Sequence, residues 1–155
     1  MGVKAVTYGL LLVAFIFGSI YHFKIRKECI YLVKLTKVRI VISIIIPLIF
    51  CIIAYIGGDQ WHYYILSLAA AVFLISGIVG EGIHEKGIYY RGSGSVTLLI
   101  LLAKWDDIKD IKIDINNSKL ESFRYKAAKI YLGQHYNRGD IIEIKKIVED
   151  NIPLK

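Results

Sequence analysis

The sequence predicts an α+β membrane protein, in which three transmembrane helices are followed by a small antiparallel β-domain closed by a C-terminal helix. Apolar residues make up 55% of the 155 residues and the mean hydropathy is +0.52, yet 21% of the residues are charged. Apolar and charged residues must therefore occupy different parts of the chain, as in a membrane anchor that carries a polar domain. A disordered chain and a disulfide-rich miniprotein are excluded.

Three stretches reach the length of a membrane span. They cover residues 5–23, 38–56 and 61–80, and the only formal charge among them is Arg39, at the start of the second stretch. At a rise of 1.5 Å per residue, about 20 residues cross the hydrocarbon core. Backbone groups in lipid must be satisfied internally, so each stretch is predicted to be a helix and residues 1–80 to form a three-helix anchor.

A basic segment, residues 24–37, separates the first two spans and sets the orientation. Under the positive-inside rule it stays in the cytoplasm, which also favours an uncleaved first helix over a signal peptide. The N-terminus then lies outside the cell membrane and residues 81–155 lie in the cytoplasm. Topology determination alone explains these charges, but cations beside a membrane also attract anionic lipid. The predicted lipid contacts are Lys24, Arg26, Lys27, Lys34, Lys37 and Arg39.

Small residues in the third span predict close helix packing. Gly77 and Gly80 follow the run Ala69–Ala71 by about two turns, so backbones can approach each other there. Packing within the three-helix anchor is the favoured interpretation, and a homodimer interface is the alternative. Away from their ends the spans contain no acidic, basic or histidine side chain, which argues against an ion or proton pathway.

Period-two patterns and turn residues replace the apolar runs after Gly80. Residues 83–91 predict two strands about a turn at Lys86-Gly87, and residues 92–95 are a second turn signal. The apolar run 96–103 is too short to span a membrane and predicts a buried strand. With further strands predicted at 108–115, 120–125 and 128–132, the domain is expected to contain five to seven short strands.

An amphipathic helix is predicted at about residues 140–151. Asp140 and Glu143 have the spacing of a capping box, and Asn151 and Pro153 follow as stop signals. The apolar residues that fall on one helical face are Ile141, Ile144, Ile147 and Val148. A helix of this kind covers an exposed sheet edge and completes a core.

Two short motifs carry a resemblance. Residues 81–90 have the form Glu-Gly-Ile-x-x-x-Gly-Ile-Tyr-Tyr, and residues 104–108 read Lys-Trp-Asp-Asp-Ile. With the spans and the terminal helix, they resemble the bacterial pleckstrin-homology-like (PH-like) domains of small membrane proteins. The resemblance implies a short barrel behind a two- or three-helix anchor, with Trp105 in its core. The family is similar in fold to lipid- and protein-binding PH domains, but its bacterial members mostly have no assigned activity. The β-domain here has about 75 residues, a length that also allows an incomplete barrel.

Few residues suggest catalysis. The pairs His84-Glu85 and Asp106-Asp107 lie at strand ends, where turn chemistry explains them more simply. The histidines share no ligand-like spacing, and the sequence contains no phosphate loop, nucleophile elbow or paired-cysteine motif. We therefore expect no enzymatic activity, no cofactor and no metal site. Cys29 lies beside cations that would lower its pKa, which leaves lipidation as an alternative to an ordinary interfacial cysteine.

Charge and composition leave two classes of function open. The net charge of +7 is concentrated in the basic segment, so membrane topology explains it without nucleic acid. In the first class, the β-domain is a non-catalytic binding or scaffolding module that holds a partner protein or a lipid headgroup at the inner leaflet. In the second, the chain is a subunit or modulator of a larger membrane complex, such as an exporter or an immunity system, and contacts it through its transmembrane helices.

Overall fold

Three long helices open the chain. The computed structural model describes residues 3–58, 60–91 and 99–152, beginning with α1 (Val3–Glu28), α2 (Lys37–Ile56) and α3 (Trp61–Val79). All three are long and apolar enough to cross a membrane. The three predicted apolar helices are therefore confirmed.

The helix α3 is the central one and packs against both α1 and α2. In the apolar stretch of α3, 39% of the residues are buried within the chain, compared with 11% in the apolar stretch of α1 and 6% in that of α2. Small residues allow this close approach, and among those buried in α3 are Ser67, Ala70, Ala71, Ser76 and Gly77. The outer faces of α1 and α2 are left as exposed apolar surface.

The basic segment has more structure than a loop. The helix α1 continues to Glu28 instead of ending near residue 23, and residues Tyr31–Leu32 form a short strand, β1. The next helix begins at Lys37 with Thr36 as its N-cap, where the Thr36 side chain accepts a hydrogen bond from the Arg39 backbone N–H at 3.4 Å. Most of this segment is thus held by regular structure.

Short antiparallel strands form two sheets. The first has the order β1-β2-β3-β4, with β2 (Gly82–His84), β3 (Gly87–Tyr90) and β4 (Leu101–Lys104). The second has the order β5-β6-β7, with β5 (Ile108–Asp114), β6 (Lys119–Tyr125) and β7 (Ala128–His135). Within the described ranges no strand pairing joins the two sheets into a closed barrel. The part of the prediction that stands is an antiparallel β-domain.

Two predicted boundaries differ from the structure. Of the strand predicted at 96–103, only β4 is observed, and residues 96–98 and the turn predicted at 92–95 lie outside the described residues. The C-terminal helix α4 spans Arg138–Asn151 and has Asn137 as its N-cap. Asp140 is therefore already inside the first turn, where its carboxylate accepts a hydrogen bond from Asn137 Nδ2 at 2.9 Å. The capping box predicted at Asp140 is wrong because the helix begins before it.

One hydrophobic core joins both sheets and α4. Its fully buried members come from every layer: Ile83, Ile88, Ala103, Leu120, Phe123, Ile141 and Ile144. Trp105 is 5% exposed, and its indole Nε1 donates a hydrogen bond to the Glu85 carbonyl oxygen at 2.8 Å. The predicted core position of Trp105 is confirmed, and the polar atom of its ring is satisfied.

Candidate functional site

A buried carboxylate joins the long helices to the β-domain. Glu81 lies between α3 and β2 and is 5% exposed. Its Oε2 accepts a hydrogen bond from Arg39 Nη2 at 2.7 Å, and its Oε1 lies 3.4 Å from Arg91 Nε. Arg39 Nη1 also donates to the Ile78 carbonyl oxygen at 2.8 Å, near the C-terminal end of α3 where a cation is favourable. The start of α2, the end of α3 and the end of β3 are thereby fixed to one another.

Backbone hydrogen bonds tie the segment between α1 and α2 into the β-domain. The Val33 N–H donates to the Glu81 carbonyl oxygen at 3.2 Å, and the Lys34 N–H donates to the His135 carbonyl oxygen at 2.7 Å. The first bond reaches the start of β2 and the second reaches the end of β7. The segment between α1 and α2 therefore connects the two sheets.

The strand β1 depends on a glycine and on a tyrosine. A side chain at Gly82 would collide with the Tyr31 carbonyl oxygen and would lie 3.1 Å from Cys29 Cβ, so a glycine is needed for β1 to pair with β2. The Tyr31 hydroxyl donates a hydrogen bond to the Glu143 carboxylate of α4. This bond raises the pKa of Tyr31, because the carboxylate holds the phenol proton.

Cys29 is partly buried beside this strand. Burial raises the pKa of its thiol to about 11, and the nearby Glu28 acts in the same direction. The expectation that neighbouring cations lower this pKa is wrong, because desolvation dominates at this position. A thiol that stays protonated is a weak nucleophile, so the structure favours an ordinary interfacial cysteine over a lipidation site.

The six cations predicted to contact lipid differ in exposure and pairing. Lys24, Arg26 and Lys27 lie in the last turns of α1, and Lys34 and Lys37 lie before and at the start of α2. Lys24, Lys27, Lys34 and Lys37 are exposed and Arg26 is partly exposed. Arg39 differs from them, because its side chain is only 18% exposed and its charge is paired with Glu81. Arg39 therefore has a structural role in addition to its predicted one.

A second basic surface lies on the sheet β5-β6-β7. An open pocket of about 420 Å³ is lined by Lys112 of β5, Lys119 of β6, and Lys129 and Tyr131 of β7. We call these four residues the basic face. Lys112 Nζ pairs with Glu121 at 2.6 Å, and Lys129 Nζ lies 5.2 Å from the centre of the Tyr131 ring. Three lysines against one carboxylate give this pocket a net positive charge, and Tyr131 is 63% exposed.

The basic face was not predicted from the sequence. Its lysines lie on three strands, separated by turns, and only the register brings them together: Lys112 lies opposite Ser122, which in turn lies opposite Tyr131. Each lysine by itself matches the solvent-facing position of an ordinary half-buried strand. The exposed Tyr131 among polar neighbours is the signal that marks the surface in hindsight.

A buried polar pair lies in the contact between α1 and α3. His22 is fully buried, its Nδ1 lies 2.9 Å from Ser76 Oγ, and its ring stacks on Phe73 with 5.1 Å between the ring centres. Among the residues that the structure describes, its Nε2 has no hydrogen-bond partner. No sequence pattern predicted this pair, because the two residues lie on different helices.

The two glycines singled out in the third span are both enclosed by the chain. Gly77 is buried in α3. A Cβ added at Gly80 would lie 3.2 Å from the His22 carbonyl oxygen and 3.0 Å from the Ser76 carbonyl oxygen. Both glycines are therefore occupied by packing within the chain.

One residue of each polar pair considered for catalysis accepts a hydrogen bond from elsewhere in the β-domain. His84 Nδ1 accepts a hydrogen bond from the Lys86 N–H at 3.0 Å, within the turn between β2 and β3. Asp107 Oδ2 accepts one from the Tyr125 hydroxyl at 3.3 Å. Across the described part of the chain no group of three or more His, Cys, Asp or Glu side chains is placed to hold a metal ion.

Comparisons with protein-family models, with curated proteins and with solved structures each found no match. The resemblance to PH-like domains stays a prediction that rests on the two motifs and the order of elements. Function is therefore inferred from the geometry of this chain.

Replacement of Glu81 tests the junction. In Glu81→Leu, Arg39 loses its counter-charge in a mostly buried position, so we expect a loss of about 3 kcal/mol in the free energy of unfolding. The matched control is Glu121→Leu, which breaks the more exposed pair with Lys112 and should cost less than about 1 kcal/mol. Denaturant unfolding in detergent, followed by tryptophan fluorescence, measures both. Equal midpoints for the two variants would contradict a structural role of Glu81.

Alkylation of Cys29 tests its protonation state. In a Cys51→Ser background, the rate of reaction with iodoacetamide should keep rising with pH until about 11, because only the thiolate reacts. At pH 8 the folded chain should react about 100-fold more slowly than the denatured chain, whose thiol has an ordinary pKa. A rate that levels off near pH 8 or 9 in the folded chain would contradict the burial of this thiol.

Proposed function

We propose that the chain is an integral protein of the cell membrane, in which three helices anchor a non-catalytic binding module on the cytoplasmic side. The observation that carries this proposal is the basic face, an open and positively charged pocket on a β-domain that is tied to the helices. Glu81 and the backbone bonds of Val33 and Lys34 make that tie. A binding surface held in this way keeps a fixed position relative to the helix ends.

The distribution of charge supports the orientation. The exposed cations at the end of α1, in the linker and at the start of α2 lie at the same end of the helices as the β-domain. Positive charge is retained on the cytoplasmic side, so the β-domain is placed there and the N-terminus outside. Lys24, Arg26, Lys27, Lys34 and Lys37 are then close to the anionic inner leaflet, where each contributes about 1 kcal/mol of attraction.

The ligand we propose for the basic face is an acidic segment of a cytoplasmic protein. Lys119 and Lys129 are left to meet carboxylates, since Lys112 is paired with Glu121. The exposed ring of Tyr131 supplies apolar contact beside them, and tyrosines of this kind are enriched at the centre of protein interfaces. A protein segment offers both carboxylates for the lysines and apolar side chains that cover this ring.

A second candidate function is that of a subunit or modulator of a larger membrane complex. The outer face of α2 favours this candidate, since only 6% of the residues in the apolar stretch of α2 are buried within the chain. The contact would then use α2, because Gly77 is buried and Gly80 already packs against α1 and the β-domain. A second copy of the chain or another membrane protein would fit this face.

Charge reversal distinguishes these proposals. The variant Lys112→Glu, Lys119→Glu, Lys129→Glu should lose the binding of a fluorescent poly-glutamate peptide to the detergent-solubilised full chain, measured by anisotropy. The matched control reverses three exposed lysines elsewhere on the β-domain, Lys104, Lys145 and Lys146. Binding to the wild type should weaken steeply with salt, since charge pairs at an exposed surface are screened.

Equal binding by both triple variants would contradict the role of the basic face. Binding of anionic vesicles by the β-domain face, lost in the first variant while the peptide fails to bind the wild type, would replace the protein ligand with a lipid headgroup. If a membrane partner purifies with both triple variants and is lost when α2 is changed by Ile44→Arg, an exposed position, the second candidate is supported instead.

A further inference from the structure

A cleft lies between the three long helices at the end remote from the β-domain. It has a volume of about 480 Å³, within the size range of ligand pockets. Both α1 and α2 pack on α3 and make little contact with each other, and the cleft lies between them against α3. Its walls are almost entirely apolar and include Leu11, Phe15, Phe50, Ile53, Leu66 and Ala70.

The lining residues define how the cleft runs along the helices. It extends from Tyr8 to Phe15 on α1, from Phe50 to Gly57 on α2 and from Tyr63 to Ala70 on α3. Each stretch spans seven steps along a helix, which corresponds to about 10 Å. The cleft is therefore an elongated slot parallel to the helix axes, and it is open at the side between α1 and α2.

One end of the slot carries polar groups. The Tyr8 hydroxyl donates a hydrogen bond to the Tyr63 hydroxyl at 3.5 Å, which leaves the Tyr63 hydroxyl proton for another acceptor. His62 lies beside them, with its ring centre 5.6 Å from that of Tyr8, and Trp61 is 74% exposed. Aromatic groups with polar atoms collect at the level of lipid headgroups, so this end marks the membrane–water interface.

We propose that the slot holds one acyl chain of a phospholipid, with the glycerol and ester groups of that lipid at Tyr8 and Tyr63. This proposal rests on the membrane insertion proposed above. Apolar walls gain dispersion contacts from an apolar chain that lies against them, so the slot favours an occupant of that kind. At this depth in a bilayer the available medium is hydrocarbon, and the slot opens sideways into it.

The two ends of the slot select an amphiphile over a helix. A second copy of the chain or a partner helix would place apolar side chains along the whole slot and leave the tyrosine hydroxyls facing them. A lipid offers an ester oxygen that accepts from the Tyr63 hydroxyl, whose proton is not used in the bond from Tyr8, and a chain that fits the apolar part. Tight contact with Phe15 and Phe50 lets this chain stay longer than the lipids around the exposed faces.

Photo-labelling in vesicles tests the proposal. The full chain is reconstituted in vesicles of an ether-linked phosphatidylcholine, which has no ester groups, with a trace of ester-linked phosphatidylcholine that carries a diazirine in the middle of one acyl chain. After irradiation, mass spectrometry maps the adducts. We expect labelling of Phe15 and Phe50 that a small fraction of unlabelled ester-linked phosphatidylcholine competes away, which is saturable labelling, and unsaturable labelling at exposed positions such as Leu10 and Leu48.

Variants that fill the slot supply the control. Ala54→Phe and Ser67→Leu should each abolish the saturable labelling, because both residues line the slot. Ile52→Phe, on the exposed side of α2, should leave it unchanged. Far-ultraviolet circular dichroism shows whether each variant keeps its helices, and two different filling variants guard against one failing to fold.

The outcomes separate the lipid site from the membrane insertion on which it depends. Labelling at Leu10 and Leu48 without saturable labelling in the slot would overturn the lipid site and leave insertion intact. No labelling of any helix would overturn insertion itself. Cross-linking of two chains through the slot would also overturn the proposal, because a second copy would then occupy it.

Discussion

The structure depends on one buried carboxylate. Glu81 is placed at the point where the helices end and the sheet begins, and a charge in such a position is costly unless it is paired and hydrogen-bonded. Arg39 from the start of α2 and Arg91 from the end of β3 provide that pairing. Arg39 is 42 residues from Glu81 in the sequence and Arg91 reaches it across the β2-β3 hairpin, so the carboxylate is fully paired only when both helices and the sheet have reached their final positions.

The consequence of this junction is that the β-domain is not a separate body on a flexible tether. The segment after α1 pairs with β2 through β1, reaches β7 through Lys34 and reaches α4 through Tyr31. These contacts stabilise both sheets against one core. The basic face therefore keeps a fixed position relative to the helix ends, which is what the proposed binding module requires.

Much of this architecture could be predicted from the sequence. Long apolar runs have few alternatives to a helix, so the three long helices were found close to their observed bounds. The spacing of Ile141, Ile144 and Val148 predicted the face of α4 that is buried, and Trp105 was placed correctly in the core. These features depend on local periodicity or on a single large residue.

The remaining features depend on tertiary contacts that no local pattern encodes. A strand of two residues such as β1 has no measurable periodicity, and the charges of its segment predict a membrane orientation and not a strand. The basic face exists only through strand register, and the pairing of His22 with Ser76 exists only through helix packing. The predicted start of α4 is too late. Asp140 lies three residues before Glu143, which is the spacing of a capping box, but Asp140 is an acidic residue in the first turn, where the helix N-terminus also favours it.

Hydrogen–deuterium exchange of the full chain in detergent micelles tests the central claim most directly, on peptides that cover residues 31–36. If the helices and the β-domain form one unit, the Val33 and Lys34 amides exchange as slowly as those in the middle of β6, because their partners are Glu81 and His135. Exchange of these two amides at the rate of an unstructured linker, while β6 stays protected, would contradict the account.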